Sequence, residues 1–358
     1  MGCPSTNSIA GSGRVNSCFP LPTPLLMHVL SYLQPAQHLG KAALVCKTWR
    51  EAANAATSSI AYTFNWADYD ASNRQLASMT AWLERGAAQQ VTSINLDYGW
   101  GEDEDVCLEV SLPLQQLRKL RSLRLISFDL LEEPSLGSSS SIAGINPLAA
   151  MSSSLTALEL YDVTLPSFNS MPQLFRCMAS LSQLQRLELT SVRVEPPTDS
   201  FADLMANRRR GGCSSAYTYT LADALCQMPQ LTCLKLDVQT ECQLRWQLSA
   251  GAMGAAIAGL QQLQQLQLNN LEVPKAEPRM LFRQLPVSIT KLHVGRACVT
   301  FTPAETPGLA RLTALCDLKL MRVLGMDPAV LCSSAGTLTQ LQLGLAWNNR
   351  SLSALVPG

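Results

Sequence analysis

LQRLEL, residues Leu184 to Leu189, decides the fold, because the chain writes it again and again. Variants begin at Val91 (VTSINL), Leu120 (LRSLRL), Leu155 (LTALEL), Leu231 (LTCLKL), Leu263 (LQQLQL), Ile289 (ITKLHV), Leu315 (LCDLKL) and Leu338 (LTQLQL). The L-x-L half alternates apolar and polar residues, which is the period of a strand. Leu158 and Leu160 point inward around Glu159, and Leu234 and Leu236 around Lys235. Ahead of the strands run segments of helical spacing, such as Leu174, Met178 and Leu181, or Leu221 and Leu225. One strand-plus-helix unit cannot bury its apolar face alone; stacked units bury a continuous core. The expectation is an α/β solenoid over residues 91–347, with a parallel inner sheet and a helical convex side.

The spacings between starts are 29, 35, 29, 47, 32, 26, 26 and 23 residues. This pattern resembles the leucine-rich-repeat family, whose units run about 20–29 residues. The family's Asn or Cys after the strand is replaced here by Phe128, Val163, Val192, Leu271, Ala297 and Val323, which predicts apolar packing in place of an Asn ladder. The long spacings mark insertions. One is the Ser/Gly-rich loop from Ser135 to Gly144; another holds Arg208, Arg209 and Arg210. Gly101 to Asp105 reads as an acidic loop.

Nine strands about 4.8 Å apart make a sheet roughly 40 Å long. Its solvent-facing positions include Asn95, Arg124, Glu159, Glu188, Lys235, Gln267, His293, Lys319 and Gln342, with a second row through Asp97, Ile126, Tyr161, Thr190, Asp237, Asn269, Gly295, Met321 and Gly344. Arg124, Glu159, Tyr161, Glu188, Lys235, Asp237, His293 and Lys319 are the candidate contacts for a protein substrate. No basic cluster is read on this face.

Composition narrows the function classes. Of 358 residues 47% are apolar, and Lys plus Arg equals Asp plus Glu at 27 each, which argues against a nucleic-acid binder. No run reaches the roughly 18 apolar residues of a membrane span. The 12 cysteines show no C-x-x-C or zinc spacing. Cys107, Cys226, Cys233, Cys298 and Cys316 sit in apolar periodic segments as small hydrophobes, so reduced thiols and a cytoplasmic or nuclear location are expected. Three histidines leave little for metal or acid–base chemistry, and there is no Gly-rich phosphate loop, no G-x-S-x-G and no cofactor motif.

Ahead of the repeats, residues 19–56 have a different character. Thr23 suits an N-cap and Pro24 the first helical position. Leu25, Leu26, Val29, Leu30 and Leu33 form an apolar stripe that Pro35 ends. Leu39, Ala42, Ala43, Val45 and Cys46 mark a second short helix, and Trp49 with Ala52 and Ala53 a third. The opening Leu21-Pro22, the pair Leu25-Leu26, the run Val29 to Leu33 and the close Leu44-Val45-Cys46-Lys47-x-Trp49-Arg50 resemble an F-box. That resemblance implies docking of a Skp-type adaptor and, through it, a cullin–RING ubiquitin ligase. The implied adaptor contacts are Leu21, Pro22, Leu25, Leu26, Val29, Leu30 and Val45, with Trp49 in internal packing. Two departures stand out: Pro24 replaces the usual acidic residue, and Gln37-His38 the usual Asp.

Residues 57–90 read as a connector and the helix of a capping repeat, with Leu76, Met79, Trp82 and Leu83 on one face. Residues 1–18 read as a disordered lead-in and 348–358 as a tail. Gly2 with Thr6 fits the myristoylation pattern and Cys3 a second acyl site, so membrane attachment follows only if Gly2 and Cys3 are acylated. The resulting expectation is a non-catalytic substrate receptor of a Skp–cullin–F-box ligase. The alternatives are a repeat scaffold whose F-box acts outside ubiquitylation, and a small-molecule-gated receptor, which lacks the basic cluster an anionic ligand would need.

Overall fold

The computed structural model describes residues 22–31, 47–85, 89–99, 108–110, 112–130, 151, 153–165, 170–194, 220–237, 250–269, 284–295, 299–300, 306–324, 331 and 336–345. The chain divides into two units between Thr57 and Ser58.

The first unit contributes α1 (Thr23–Ser31) and α2 (Lys47–Ala56). The Pro22 carbonyl accepts from the N–H groups of Leu25 and Leu26, which starts the first turn of α1. Leu26 and Leu30 bury themselves against Ala52 and Ala53 of α2, with Met27, Trp49 and Ala56 around them. Methyl side chains on α2 leave room for the leucines of α1 to sit close. The second short helix expected around residues 39–46 lies outside the described residues.

The second unit runs β1 (Ser59–Thr63), α3 (Tyr69–Glu84), β2 (Ser93–Asp97), β3 (Leu108–Val110), β4 (Ser122–Ile126), β5 (Phe128–Leu130), β6 (Ala157–Tyr161), β7 (Thr164–Leu165) and α4 (Ser170–Ala179). It continues with β8 (Arg186–Thr190), β9 (Arg193–Val194), α5 (Leu221–Leu225), β10 (Cys233–Asp237), α6 (Ala250–Gly259), β11 (Gln265–Asn269) and β12 (Lys291–Gly295). The last elements are β13 (Val299–Thr300), α7 (Thr306–Ala310), β14 (Asp317–Leu324) and β15 (Gln340–Leu345).

The main sheet follows the order β1-β2-β4-β6-β8-β10-β11-β12-β14, and β13 and β15 both pair with β14. Its pairs are parallel and keep one register, so Ile60, Ile94, Leu123, Leu158, Leu187, Leu234, Leu266, Leu292 and Leu318 stack in a single line. These side chains are buried in one continuous core with leucines from the helical side, among them Leu174, Leu221, Leu225 and Leu309. Each fully buried leucine is worth about 1.5–3 kcal/mol. This is a leucine-rich-repeat solenoid, as the periodicity predicts.

Three local devices hold the stack. The residue after a strand takes a left-handed conformation at Ser127 (φ 61°), Asp162 (φ 51°) and Ser191 (φ 54°). Short polar side chains tolerate that region. Each turn residue donates its N–H to the last carbonyl of the next strand, those of Tyr161, Thr190 and Asp237 respectively, at 2.8–2.9 Å. The turn then drives Phe128, Val163 and Val192 into the core, the apolar packing expected in place of an Asn ladder. The second device is a small parallel sheet, β3-β5-β7-β9, built just past these turns. The third is a threonine in every second repeat. Thr92, Thr156, Thr232, Thr290 and Thr339 donate their hydroxyls to the carbonyls of Ser58, Arg121, Gln185, Gln264 and Cys316, at 2.9–3.2 Å.

The structure also departs from the sequence reading at the start of the solenoid. Residues 57–90, expected to hold only a connector and a capping helix, open with strand β1, which pairs with β2 in the sheet. Its sequence, SIAYT, alternates like the others but lacks the leucines that mark them. Helix α3 begins at Tyr69, where Asp68 accepts from the Ala71 N–H, and it buries Leu76 and Leu83 while Met79 and Trp82 pack on the core edge.

Candidate functional site

The first candidate surface is one face of α1. Leu25 and Val29 are one helical turn apart and 48% and 47% exposed. They form an exposed apolar pair on one face of the helix. Leu26 and Leu30, which the sequence reading grouped with them as adaptor contacts, are buried in the module's own core. The apolar stripe of α1 is therefore two faces, one inward and one outward. Pro22 is exposed beside the first turn. Leu21 and Val45 lie outside the described residues, as do Gly2, Cys3 and the Arg208–Arg210 loop.

The second surface is the open face of the main sheet. Register places Arg124 beside Glu159, Glu159 beside Glu188, and Glu188 beside Lys235 on consecutive strands. Two like charges directly opposite each other are unfavourable on a sheet. Arg186, two residues before Glu188 and on the same face, relieves them. Its Nη1 lies 3.2 Å from Glu188 Oε1 and 3.7 Å from Glu159 Oε1. Lys235 Nζ approaches Glu188 Oε1 to 2.8 Å, and the Tyr161 hydroxyl donates to Glu188 Oε2. Arg124 Nε is 3.7 Å from Glu159 Oε2, and its guanidinium lies over the Tyr161 ring, 5.1 Å from the centroid.

The network is layered. The carboxylates lie at the bottom, with side chains only 2% (Glu188) and 14% (Glu159) exposed. The cation heads lie on top, at 42% for Arg124, 46% for Arg186 and 34% for Lys235. Burial by itself raises the Glu188 carboxyl, but the hydrogen bonds from Lys235 and Tyr161, with the charges of Lys235 and Arg186, more than offset it and hold it below the ordinary value. Burial, then the bond to Glu188 and its charge, push the Tyr161 hydroxyl up. Glu188 is thus ionised and Tyr161 is a neutral donor at neutral pH.

Five of the substrate contacts expected from sequence meet in this network: Glu159 and Glu188, with Arg124, Lys235 and Tyr161 bound to them. The other three lie elsewhere on the face. Asp237 accepts from Asn269 Nδ2 at 3.0 Å. His293 Nε2 is 2.9 Å from Asp317 Oδ2, near enough for an ion pair but without hydrogen-bond alignment, and Lys319 is its neighbour on β14.

The sequence reading missed Arg186 and misplaced Cys233. Both occupy the third letter of the repeat motif, which has the same parity as the fifth and so faces the same way. Cys233 is buried, but on the open face. Its Sγ lies 3.9 Å from Glu188 Oε1 and 3.8 Å from Gln265 Oε1. Burial and then the Glu188 charge raise its thiol. Cys226, also read as a core hydrophobe, is exposed. With Arg186 included, Arg124, Arg186 and Lys235 form the basic cluster that the sequence reading did not find.

Residues 20–57 match the F-box-like family. The N-terminal module is F-box-like. A search of the curated proteins returns no match. Among solved structures the chain is similar to an internalin, inlF, from Listeria monocytogenes, at 17% identity over 73% of this chain and 56% of that one, with a TM-score of 0.42. An internalin C2 from the same organism gives 17% identity over 65% of this chain and 82% of that one, with a TM-score of 0.36. The functional domain of its InlJ gives 13% identity over 81% and 50%, with a TM-score of 0.35. The chain thus spans little more than half of the first of these. Among the described residues no group of three or more His, Cys, Asp or Glu could hold a metal ion, and no helix is long and apolar enough to cross a membrane.

Proposed function

We propose that this chain is the substrate-recognition subunit of a Skp–cullin–F-box ubiquitin ligase. The F-box-like module docks a Skp-type adaptor, and the open face of the repeat sheet binds a protein substrate for ubiquitylation and degradation. The chain supplies no catalytic group; acceleration comes from holding the substrate near the ubiquitin donor. The setting is the cytoplasm or nucleus, with membrane attachment reserved for a form acylated at Gly2 and Cys3.

The observation that carries the reading is the outward pair Leu25 and Val29 on α1, set on a helix whose opposite face, Leu26 and Leu30, already has its core. Covering two half-exposed aliphatic side chains is worth about 1 kcal/mol each. That is too little for docking alone, so it marks part of a larger interface.

The test is co-purification with a Skp-type adaptor and cullin. Leu25→Asp/Val29→Asp should abolish capture, because each places an unpaired charge in a desolvated contact. Circular dichroism should show the helices intact, since both positions face outward. A double variant that still captures the adaptor, or a wild-type chain that captures none, would overturn the reading.

A further inference from the structure

We infer that the β4–β10 segment of the open face takes an anionic side chain from an extended stretch of the protein substrate. The inference rests on the receptor reading for what it binds, but its geometry is independent of the F-box-like module.

Ion pairs connect Arg124, Arg186 and Lys235 to Glu159 and Glu188. Three cations meet two carboxylates, so the connected group carries one positive charge in excess. The carboxylates are submerged, so an approaching chain meets guanidinium and ammonium heads first. Arg124 and Arg186 hold Glu159 at 3.7 Å each, beyond hydrogen-bond length, and their side chains are 42% and 46% exposed. Both guanidiniums therefore have N–H groups to give to a second anion. A planar fork of this kind fits a carboxylate or a phosphate.

The aspartates on the neighbouring row keep their charge but are bonded to neutral donors, so the positive excess is local to the exposed cation heads. Asp97 Oδ1 accepts from the Gly99 N–H, and Asp237 Oδ2 accepts from Asn269. Glu188 is the positioning residue. It touches nothing that arrives, but it fixes Arg186, Lys235 and Tyr161 from below, so the cation heads are ordered before the partner comes. Parallel strands spaced about 4.8 Å apart favour an extended segment crossing them, whose one acidic side chain falls between Arg124 and Arg186.

The test uses the full chain on an array of 12-residue peptides of random sequence, together with versions carrying one phosphoserine. Selection for Asp, Glu or phosphoserine is expected, and the glutamate and phosphoserine arms separate the two anion sources. Arg124→Gln and Arg186→Gln should each weaken a selected peptide about tenfold, the worth of one charge-assisted hydrogen bond. Lys119→Gln, whose exposed side chain bonds Gln90 away from the network, should leave it unchanged. Arg124→Gln lacks any contact with buried Glu188, so it keeps the fold if Arg186→Gln does not. Selection of basic or neutral peptides, no selection at all, tight binding of free inorganic phosphate without any peptide, or unchanged affinity in both arginine variants would each sink the inference. Adaptor capture is scored separately. A chain that captures adaptor but selects no anion loses this inference alone; one that selects anions but captures no adaptor loses the receptor reading alone.

Discussion

Glu188→Gln tests whether the charge network is built around one carboxylate. The side chain is 2% exposed and receives Lys235 at 2.8 Å, Arg186 at 3.2 Å and the Tyr161 hydroxyl. Glutamine keeps the shape but removes the charge, and it turns a donor toward cations. Removing one member of a buried ion pair costs about 3–5 kcal/mol when the other is left stranded. Here Lys235 and Arg186 are about a third and a half exposed and can return to water. The cost is therefore about 1–3 kcal/mol, or a fall in melting temperature of about 3–8 °C for a unit of this size. The sign with pH follows from the depressed carboxyl. Its stabilisation is complete above the unfolded value, near 4.5, and is lost as pH falls through the lower folded value. Since glutamine imitates the protonated acid, the gap between wild type and variant should close as pH drops below about 4.5. Urea midpoints by circular dichroism at pH 7 and pH 3.5 measure both statements. A gap that is the same at the two pH values, or absent at pH 7, refutes the placement of an ionised Glu188 at the centre.

Two further substitutions probe the frame that carries the network. Phe128→Ala removes a fully buried ring that meets Phe64 edge-on at 5.9 Å and Tyr98 at 6.5 Å, and should cost about 3–5 kcal/mol in urea unfolding. A loss under about 1 kcal/mol would mean that the turn after Ser127 does not deliver this side chain to the core. Gly295→Ala places a methyl 2.4 Å from Asn269 Oδ1, so Asn269 must swing away and release Asp237. The expected cost is about 1 kcal/mol, one hydrogen bond with a flexible partner, read from the thermal midpoint. A neutral variant would show that Asn269 does not lean over Gly295.

The repeat strands were legible because a period of two is a backbone property: once Leu158 and Leu160 are inside, Glu159 must be outside. Register then followed, since a one-residue slip would bury Glu159 and expose both leucines. What escaped the sequence did so for identifiable reasons. β1 uses Ile60 and Tyr62 where later repeats use leucine, so motif matching passed over it. Arg186 and Cys233 share the parity of Glu188 and Lys235, but they precede the first inward leucine, where the L-x-L alternation has not yet begun. The split of α1 could not be read from α1 at all. Leu25, Leu26, Val29 and Leu30 are chemically alike, and a stripe wide enough for a core is wide enough for a partner. Ala52 and Ala53, over twenty residues away, choose which pair goes inside.

Composition is silent on the surface for a related reason. Equal numbers of acidic and basic residues describe the chain, not the sign of a surface. On a sheet, residues in register start from the same height, so side-chain length decides which charge is on top. Arginine and lysine carry longer stems than glutamate and can lie over it with the head in water. Glu159 and Glu188, set side by side by parallel register, draw cations from three strands, β4, β8 and β10, and those cations close over them. A pair of glutamates that would repel if left bare thus becomes the floor of a cationic surface. The charge turned toward solvent here is opposite to that of the residues at the centre of the motif, and it follows from stem length and register.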